Sequence, residues 1–283
     1  MENSVIGILG TGTMGKQLAL LFAANNLSVK IWNYRHQSDF LREFGRLISV
    51  QSKLGHIPRA KIGEITERID YTNDLATLSR CALIIETVIE DKEAKIATIG
   101  QLIEVADEQA IVATNTSTLS ITELASYTKY PSHFLGLHFF NPPMSMKLVE
   151  VIRGDLTSEE TLTRAKGILE AVGKQPVILA DTAGFIVNRM LFPLLNEAML
   201  MLSEGISDAK TIDGCMRLGA NHPIGPLELA DLIGLDNCLR ILETLYHKTG
   251  DSKFEPTLLL REHVGAGRLG RKVGSGFYAY KKH

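Results

Sequence analysis

Cysteine is scarce in this chain: Cys81, Cys215 and Cys238 are an odd number, scattered, with no C-x-x-C spacing. That pattern speaks against a disulfide framework and reads as reduced thiols in a reducing compartment such as the cytoplasm. None of the eight histidines pairs with cysteine or carboxylate at ligand spacing, so no metal site is expected. Long apolar runs are missing too. No stretch approaches the roughly 20 residues that span a bilayer, which excludes a helical membrane anchor. The first β-like run starts within a few residues of Met1, leaving no room for a targeting peptide. Neither sign of charge dominates: 30 Lys and Arg against 32 Asp and Glu leave a net −2. With no basic stripe and interleaved aromatics, a nucleic-acid partner is not expected. What remains is a soluble globular composition, 45% hydrophobic and 22% charged, in 283 residues that suffice for a substantial core in one or two domains.

The opening is more informative. A short apolar run, 5–9, leads into Gly10-Thr11-Gly12-Thr13-Met14-Gly15, then an apolar-periodic stretch, 18–24, then a second β-like run, 27–32. Strand, glycine turn, helix and strand are the context that lifts a G-x-G-x-x-G match above chance. The first glycine permits the turn, the second lets backbone approach a pyrophosphate, and the third lets helix pack on strand. The anion would lie at the helix N-terminus, where free N–H groups and the helix dipole favour it. At the end of the second strand, where an acid normally bonds the adenosine ribose, the chain carries Asn33, with Arg35 two residues on. Two readings stay open. Either Asn33 itself bonds the ribose of NAD, or Arg35 meets a 2′-phosphate and the cofactor is NADP.

Residues 36–69 break the strand pattern. Phe40, Leu41, Phe44, Leu47 and Ile48 recur at helical spacing, Gly55 and Pro58 interrupt, and Ile62 and Ile65 resume. This predicts a helical hairpin inserted into the nucleotide-binding sheet. Strands are expected at 83–85, 110–113, 134–140, 147–152 and 176–179, with helices at 92–105 and 158–171. The alternation indicates an α/β, doubly wound, mostly parallel sheet covered on both faces. Character changes near 183, and helical periodicity then runs to the end, with helices expected at 185–202, 209–218, 226–233 and 237–247. The expected domains are 1–183, dinucleotide-binding, and 184–283, all-α. The run 185–202 is apolar on most faces, which suits a helix buried within a domain or between subunits.

Candidate chemistry gathers at strand ends. His138 precedes Phe139-Phe140-Asn141-Pro142-Pro143, and the next β-like run carries Glu150. A Pro-containing turn between two extended runs can set the two side by side. A carboxylate on one imidazole nitrogen fixes the tautomer and leaves the other nitrogen to accept a proton. Alone, a histidine on an apolar strand such as His138 is more often a satisfied core histidine. Glu150, flanked by Leu148, Val149, Val151 and Ile152, is harder to dismiss, because a carboxylate in such a run is costly to bury unpaired. Asn115, Thr116 and Ser117 follow a strand directly, where ligands of open α/β sheets lie, although a plain turn or helix cap has the same composition. Asn188 sits in the long apolar run and needs a partner, whether in its own domain, across domains or on a substrate.

Taken in order, Gly10-Thr11-Gly12-Thr13-Met14-Gly15, Asn115-Thr116-Ser117, Gly136-Leu137-His138-Phe139-Phe140-Asn141-Pro142, Lys147-Leu148-Val149-Glu150-Val151, Gly184-Phe185-Ile186-Val187-Asn188-Arg189 and Gly267-Arg268-Leu269-Gly270-Arg271-Lys272 closely resemble the 3-hydroxyacyl-CoA dehydrogenases, particularly the single-function bacterial 3-hydroxybutyryl-CoA type. The resemblance implies a Rossmann domain, a helical C-terminal domain that dimerises, and nicotinamide-linked oxidation of a 3-hydroxyacyl thioester. It makes His138 the catalytic histidine and Glu150 its carboxylate partner. Ser117 and Asn188 become the residues that hold the substrate's hydroxyl or carbonyl, and Asn141 supports the histidine and substrate. Glu90, Lys95, Asn115 and the C-terminal Lys272 fall on the cofactor side. Two departures stand out. Asn33 replaces the family's ribose-binding aspartate, which opens the choice between NAD and NADP. The hairpin is lysine-rich in relatives that grip coenzyme A; here Lys53 and Arg46 could serve, though they read more readily as solvated helix-face cations. That thinning admits an acyl carrier protein as the thioester's bearer. A dehydrogenase of a free hydroxy or sugar acid, and a non-catalytic nucleotide sensor, complete the alternatives.

Overall fold

Apolar Val5–Leu9 forms β1 and lies between two parallel neighbours, β2 (Ser28–Trp32) and β4 (Leu83–Glu86). The computed structural model describes residues 5–281. Among them the sheet has eight strands in the order β3-β2-β1-β4-β5-β6-β7-β8, with β3 Ile69–Thr72, β5 Ile111–Thr114, β6 Phe134–Phe139, β7 Leu148–Arg153 and β8 Gln175–Ala180. Every neighbouring pair is parallel except β6 and β7, which run antiparallel. Order reverses at β1, which has β2 on one side and β4 on the other, so a crevice opens at the carboxyl ends of those strands. The central strands are buried on both faces, as a parallel sheet covered by helices requires. Edge strand β8 differs from expectation: it pairs with β7 alone, and Val177 and Ile178 are exposed although α6 packs against the strand.

The first helix, α1 (Thr13–Ala24), buries Leu18, Ala19, Leu21 and Phe22 against this sheet. The expected hairpin is present. It consists of α2 (Phe40–Lys53), which buries Phe40, Phe44, Ile48 and Gln51 on one stripe, a 3₁₀ turn at Arg59–Lys61, and α3 (Ile62–Glu67). Strand β3, which follows it, went unread in the sequence; four residues including exposed Asp70 carry too little apolar alternation to declare a strand. Helices α4 (Lys92–Ile103), α5 (Ile121–Ala125) and α6 (Glu159–Ala171) complete the first compact unit, Met1–Thr182. Three of them start where a side chain accepts an early N–H: Asp91 from Ala94, Ser120 from Glu123 and Ser158 from Thr161.

The second unit, Ala183–His283, is helical: α7 (Val187–Ser203), α8 (Ala209–Gly219), α9 (Pro226–Ile233), α10 (Leu235–Thr249) and α11 (Leu258–Gly265) around a core that includes Phe192, Leu195, Met199, Leu227, Leu242 and Phe254. The apolar α7 is buried on one side only; Met190, Leu200 and Met201 are exposed. Asn188 is buried in its first turn rather than in mid-helix. Buried Asp231 accepts from the Phe277 and Tyr278 N–H groups and the Tyr280 hydroxyl, anchoring the C-terminal segment. Burial and that bond push the Tyr280 hydroxyl up to about 12. Burial likewise pushes the Cys81 thiol up to about 11 and the Cys238 thiol up to about 12, so both stay protonated and unreactive.

A buried ionic knot ties the ends of β4 and β5 to α4. Lys95 is 1% exposed and Glu86 0% exposed. The Lys95 Nζ donates to both Glu86 oxygens, at 2.8 and 3.0 Å, and lies 3.4 Å from Glu90 Oε2. Glu86 also accepts from the Thr114 hydroxyl at 2.6 Å and the Val88 N–H at 2.7 Å. On Glu90 Oε1 converge the Thr116 hydroxyl at 2.6 Å, the Ser117 N–H at 2.8 Å and the Thr118 hydroxyl at 3.0 Å. Burial raises the Glu90 carboxyl, but Lys95 and these donors outweigh it and hold it below its ordinary value of 4.5.

Removing the one ammonium strands two carboxylates. Lys95→Met is therefore expected to cost about 3–5 kcal/mol in urea unfolding, part of it restored by adding Glu86→Gln. Because the folded Glu90 value is depressed, its contribution is full above pH 4.5 and fades as pH falls through the lower folded value. The stability gap between wild type and Glu90→Gln should therefore be constant near neutrality and close in acid; a gap that widens in acid would contradict this.

Candidate active site

The glycine turn is shaped for a close-approaching anion. Gly10 has φ +103°, and a Cβ on Gly15 would lie 1.9 Å from the Gly10 carbonyl oxygen, so neither position admits a side chain. A Cβ on Gly12 would meet nothing within 4 Å, which leaves the space over the turn open. Helix α1 begins here with no side-chain cap and no acid in its first turn, so its leading N–H groups are free for phosphate oxygens. Thr13 is exposed and Met14 half-buried at this helix start. The turn is braced from below: the Gly10 N–H donates to Trp32 O at 2.8 Å and the Thr87 hydroxyl to Leu9 O at 2.8 Å. The donor set and the open cradle fit a dinucleotide pyrophosphate.

At the end of β2, half-buried Asn33 donates its Nδ2 to the Arg35 carbonyl at 2.7 Å. The amide is thereby oriented, and its Oδ1 is left as an acceptor. Arg35 is exposed and makes no ion pair among the described residues. Thr11, buried in the turn, donates to Gln37 Oε1 at 2.9 Å, and the Gln37 N–H donates to the Tyr71 hydroxyl at 2.6 Å. Strands β2 and β3 thus both help to hold the turn.

Three strands along, β6 and β7 pair in a register that sets His138 directly opposite Glu150. Both side chains project to the same face, as opposed residues of an antiparallel pair must. His138 Nδ1 lies 2.7 Å from Glu150 Oε2, with His138 6% and Glu150 1% exposed. A buried carboxylate accepting from Nδ1–H leaves Nε2 as the basic nitrogen. Phe140 lies against the imidazole, ring centroids 4.6 Å apart. Asn115, at the end of β5, accepts the Phe139 N–H at 3.0 Å, which fastens the strand one residue beyond the histidine. Ser117, two residues further, has its hydroxyl 3.2 Å from Glu90 Oε1.

The 140–147 loop is clamped from several sides. Buried Lys174 donates to the carbonyl oxygens of Pro143 and Met146, and burial lowers its ammonium pKa. The Ser145 hydroxyl lies 3.3 Å from His56 Nε2, and the Gln17 Nε2 donates to Asn141 Oδ1 at 2.9 Å. The structure therefore brings His138, Glu150, Asn115, Ser117, Glu90 and Asn141 to the carboxyl-end region of β4, β5 and β6. Lys95 lies below that surface in its ion pairs. Arg46 and Lys53 stand on α2 without ion pairs among the described residues. Lys272, in the helical unit, donates to both Asp236 oxygens at 2.6 and 2.5 Å. Sequence reasoning passed over Glu86 and Gln17. Glu86 ends the apolar run Leu83-Ile84-Ile85, a signal of the same kind that marked Glu150; Gln17 gave none.

Comparison with known proteins identifies the family. The model of the 3-hydroxyacyl-CoA dehydrogenase NAD binding domain matches residues 5–182, and that of the family's C-terminal domain matches residues 184–280. A probable 3-hydroxybutyryl-CoA dehydrogenase of Deinococcus radiodurans is 41% identical, covering 97% of this chain and 99% of its own. The 3-hydroxybutyryl-CoA dehydrogenase of Bradyrhizobium diazoefficiens is 42% identical over 98% of this chain and 95% of its own. The crystal structure of (S)-3-hydroxybutyryl-CoA dehydrogenase from Ralstonia eutropha superposes with a TM-score of 0.93 at 38% identity, covering 99% of this chain and all of that one. With both of its domains matched along the described sequence, the chain belongs to the 3-hydroxyacyl-CoA dehydrogenase family.

Proposed function

We propose that the chain interconverts a short 3-hydroxyacyl thioester, of the 3-hydroxybutyryl-CoA kind, and its 3-oxo form, using NAD or NADP. The observation that carries this reading is the buried His138–Glu150 pair at 2.7 Å, close to the turn after β5. His138 takes the C3 hydroxyl proton at Nε2, while Glu150 holds Nδ1 and stabilises the imidazolium that forms. In the reverse direction the same imidazolium returns its proton to the carbonyl oxygen. The bound nicotinamide supplies the hydride acceptor or donor. Gly10, Gly12, Thr13, Met14 and Gly15 bind the pyrophosphate, with Glu90, Lys95, Asn115 and Lys272 assigned to the cofactor side. Ser117 and Asn188 hold the reacting oxygen, and Asn141 supports it; preorganised donors of this kind contribute several kcal/mol, roughly. Arg46 and Lys53 are the cations available to coenzyme A phosphates. The helical unit serves as the substrate and dimerisation domain, supported by exposed Met190, Leu218 and Leu258, which suit a two-fold contact between copies. The lone, mostly buried thiols suit the cytoplasm.

For the adenosine end, we read Asn33 as an acceptor for the ribose hydroxyl of NAD. It brings no negative charge to repel a 2′-phosphate, and exposed Arg35 stands by to meet one, so both nucleotides bind.

Acetoacetyl-CoA reduction followed with NADH tests the chemistry. His138→Gln should lower kcat by about 10²–10⁴-fold and leave NADH affinity unchanged. Near-normal turnover would overturn the assignment, and faster turnover of the same acyl group on a carrier protein, or as the free acid, would move the substrate. Fluorescence titration with NADH and NADPH tests the nucleotide reading. Asn33→Asp and Arg35→Glu should each weaken NADPH about tenfold or more with little change for NADH; a wild type that refuses NADPH would contradict it.

A further inference from the structure

Buried polar side chains usually satisfy most of their hydrogen-bonding atoms, and Gln17 does not. It lies one turn into α1, 9% exposed, on a helix whose other buried residues are Gly, Ala, Leu and Phe. Its Nε2 donates to Asn141 Oδ1 at 2.9 Å, and its Oε1 is buried with no partner. A leucine of similar volume would pack there without leaving an oxygen orphaned, so stability does not account for a glutamine. The residue it reaches is 124 positions away in sequence, in the loop that leaves the histidine strand.

An asparagine amide can present either its oxygen or its NH₂, and the two ends differ by a half-turn. Gln17 settles that choice in the structure. With its Nε2 donating, the Asn141 oxygen faces α1 and the Asn141 NH₂ faces away. Asn141 is exposed, and its Nδ2 hydrogens meet no acceptor among the described residues. They sit three residues beyond His138, on a strand end pinned by the Asn115 bond to Phe139. We infer that Gln17 is a positioning residue that fixes Asn141 as a hydrogen-bond donor to an oxygen of the acyl substrate. This rests on the reading of the site as a 3-hydroxyacyl thioester dehydrogenase. It acts through Asn141 and touches no reacting atom.

Glutamate and leucine at position 17 separate positioning from space filling. The carboxylate introduced by Gln17→Glu can only accept, so Asn141 turns over and offers its oxygen to the substrate oxygen, lone pair against lone pair. Leucine leaves the amide free to adopt either orientation. The expected order of kcat/KM is wild type, then Gln17→Leu down about tenfold, then Gln17→Glu down about 100-fold. NADH affinity by fluorescence should be unchanged in both, and the melting temperature of Gln17→Leu should equal or exceed that of wild type. Once protonated, the introduced carboxyl regains a donor, so the Gln17→Glu deficit should shrink as pH falls. In an Asn141→Ala background both substitutions should lose their effect. A Gln17→Glu protein at least as active as Gln17→Leu, or one with a deficit independent of pH and of Asn141, would overturn the inference. His138→Gln assayed beside them keeps the two ideas apart. If it remains active, the proposed reaction falls. If it is dead while the Gln17 variants match wild type, the positioning inference alone falls.

Discussion

The reversal of direction between β6 and β7 is what the site stands on. All other neighbours in the sheet are parallel and need a crossover of a dozen or more residues to return. The turn from β6 into β7 is short, and its antiparallel register sets residue 138 against residue 150. A parallel neighbour would have brought a strand from much further along the chain. Since side chains alternate across a strand, a slip of one residue would send either the imidazole or the carboxylate to the opposite face. Leu137, Val149, Val151 and Phe139 are all buried, so such a slip would also expose or misplace core residues. The hydrophobic pattern that folds the sheet thereby guards the geometry of the ionisable pair.

Around that pair, orientation is imposed on groups that are ambiguous by themselves. An asparagine is donor and acceptor at once, and each of three asparagines near the site has one half engaged by the protein. Asn33 gives its NH₂ to a backbone carbonyl, Asn115 gives its oxygen to the Phe139 N–H, and Asn141 gives its oxygen to Gln17. What remains displayed is an acceptor at Asn33 and a donor at each of the other two. Glu150 does the same for the imidazole by engaging Nδ1. Glu90 does so for the 115–118 turn by gathering its hydroxyls and N–H groups on one oxygen. Preorganisation of this kind avoids rearrangement when charge moves.

How much of this the sequence disclosed depends on the distance over which each signal acts. The glycine turn, α1 and β2 are contiguous, and their periodicities are strong. His138 and Glu150 could be set side by side on paper because only a turn separates two apolar runs. The hairpin was visible from Phe40, Phe44 and Ile48, and α9 from Pro226 at its first position. Two short elements were not legible: β3 lacks the continuous apolar run that marked the equally short β4 and β5, and α5 has five residues, too few for a helical period to emerge. The Glu86–Lys95 pair needed the strand end and the helix start to be superposed in space before its purpose was visible. Gln17 was illegible for a stronger reason, since a polar residue in an amphipathic helix ordinarily faces water, and only the fold shows this one turned inward.

Unequal tethering of two loops bears on how such a protein can diversify. Residues 140–147 are held at both ends by strand register and in the middle by Lys174, His56 and Gln17. Lengthening that segment would tear several anchors at once. The hairpin tip between α2 and α3 is different: Lys53, Leu54, Gly55, Pro58 and Arg59 are exposed, and among the described residues only buried Ile57 and the His56 contacts with Gln51 and Ser145 tie it down. Descendants of this chain can therefore vary an outlying tip while the fastened loop beside the His138–Glu150 pair keeps its shape.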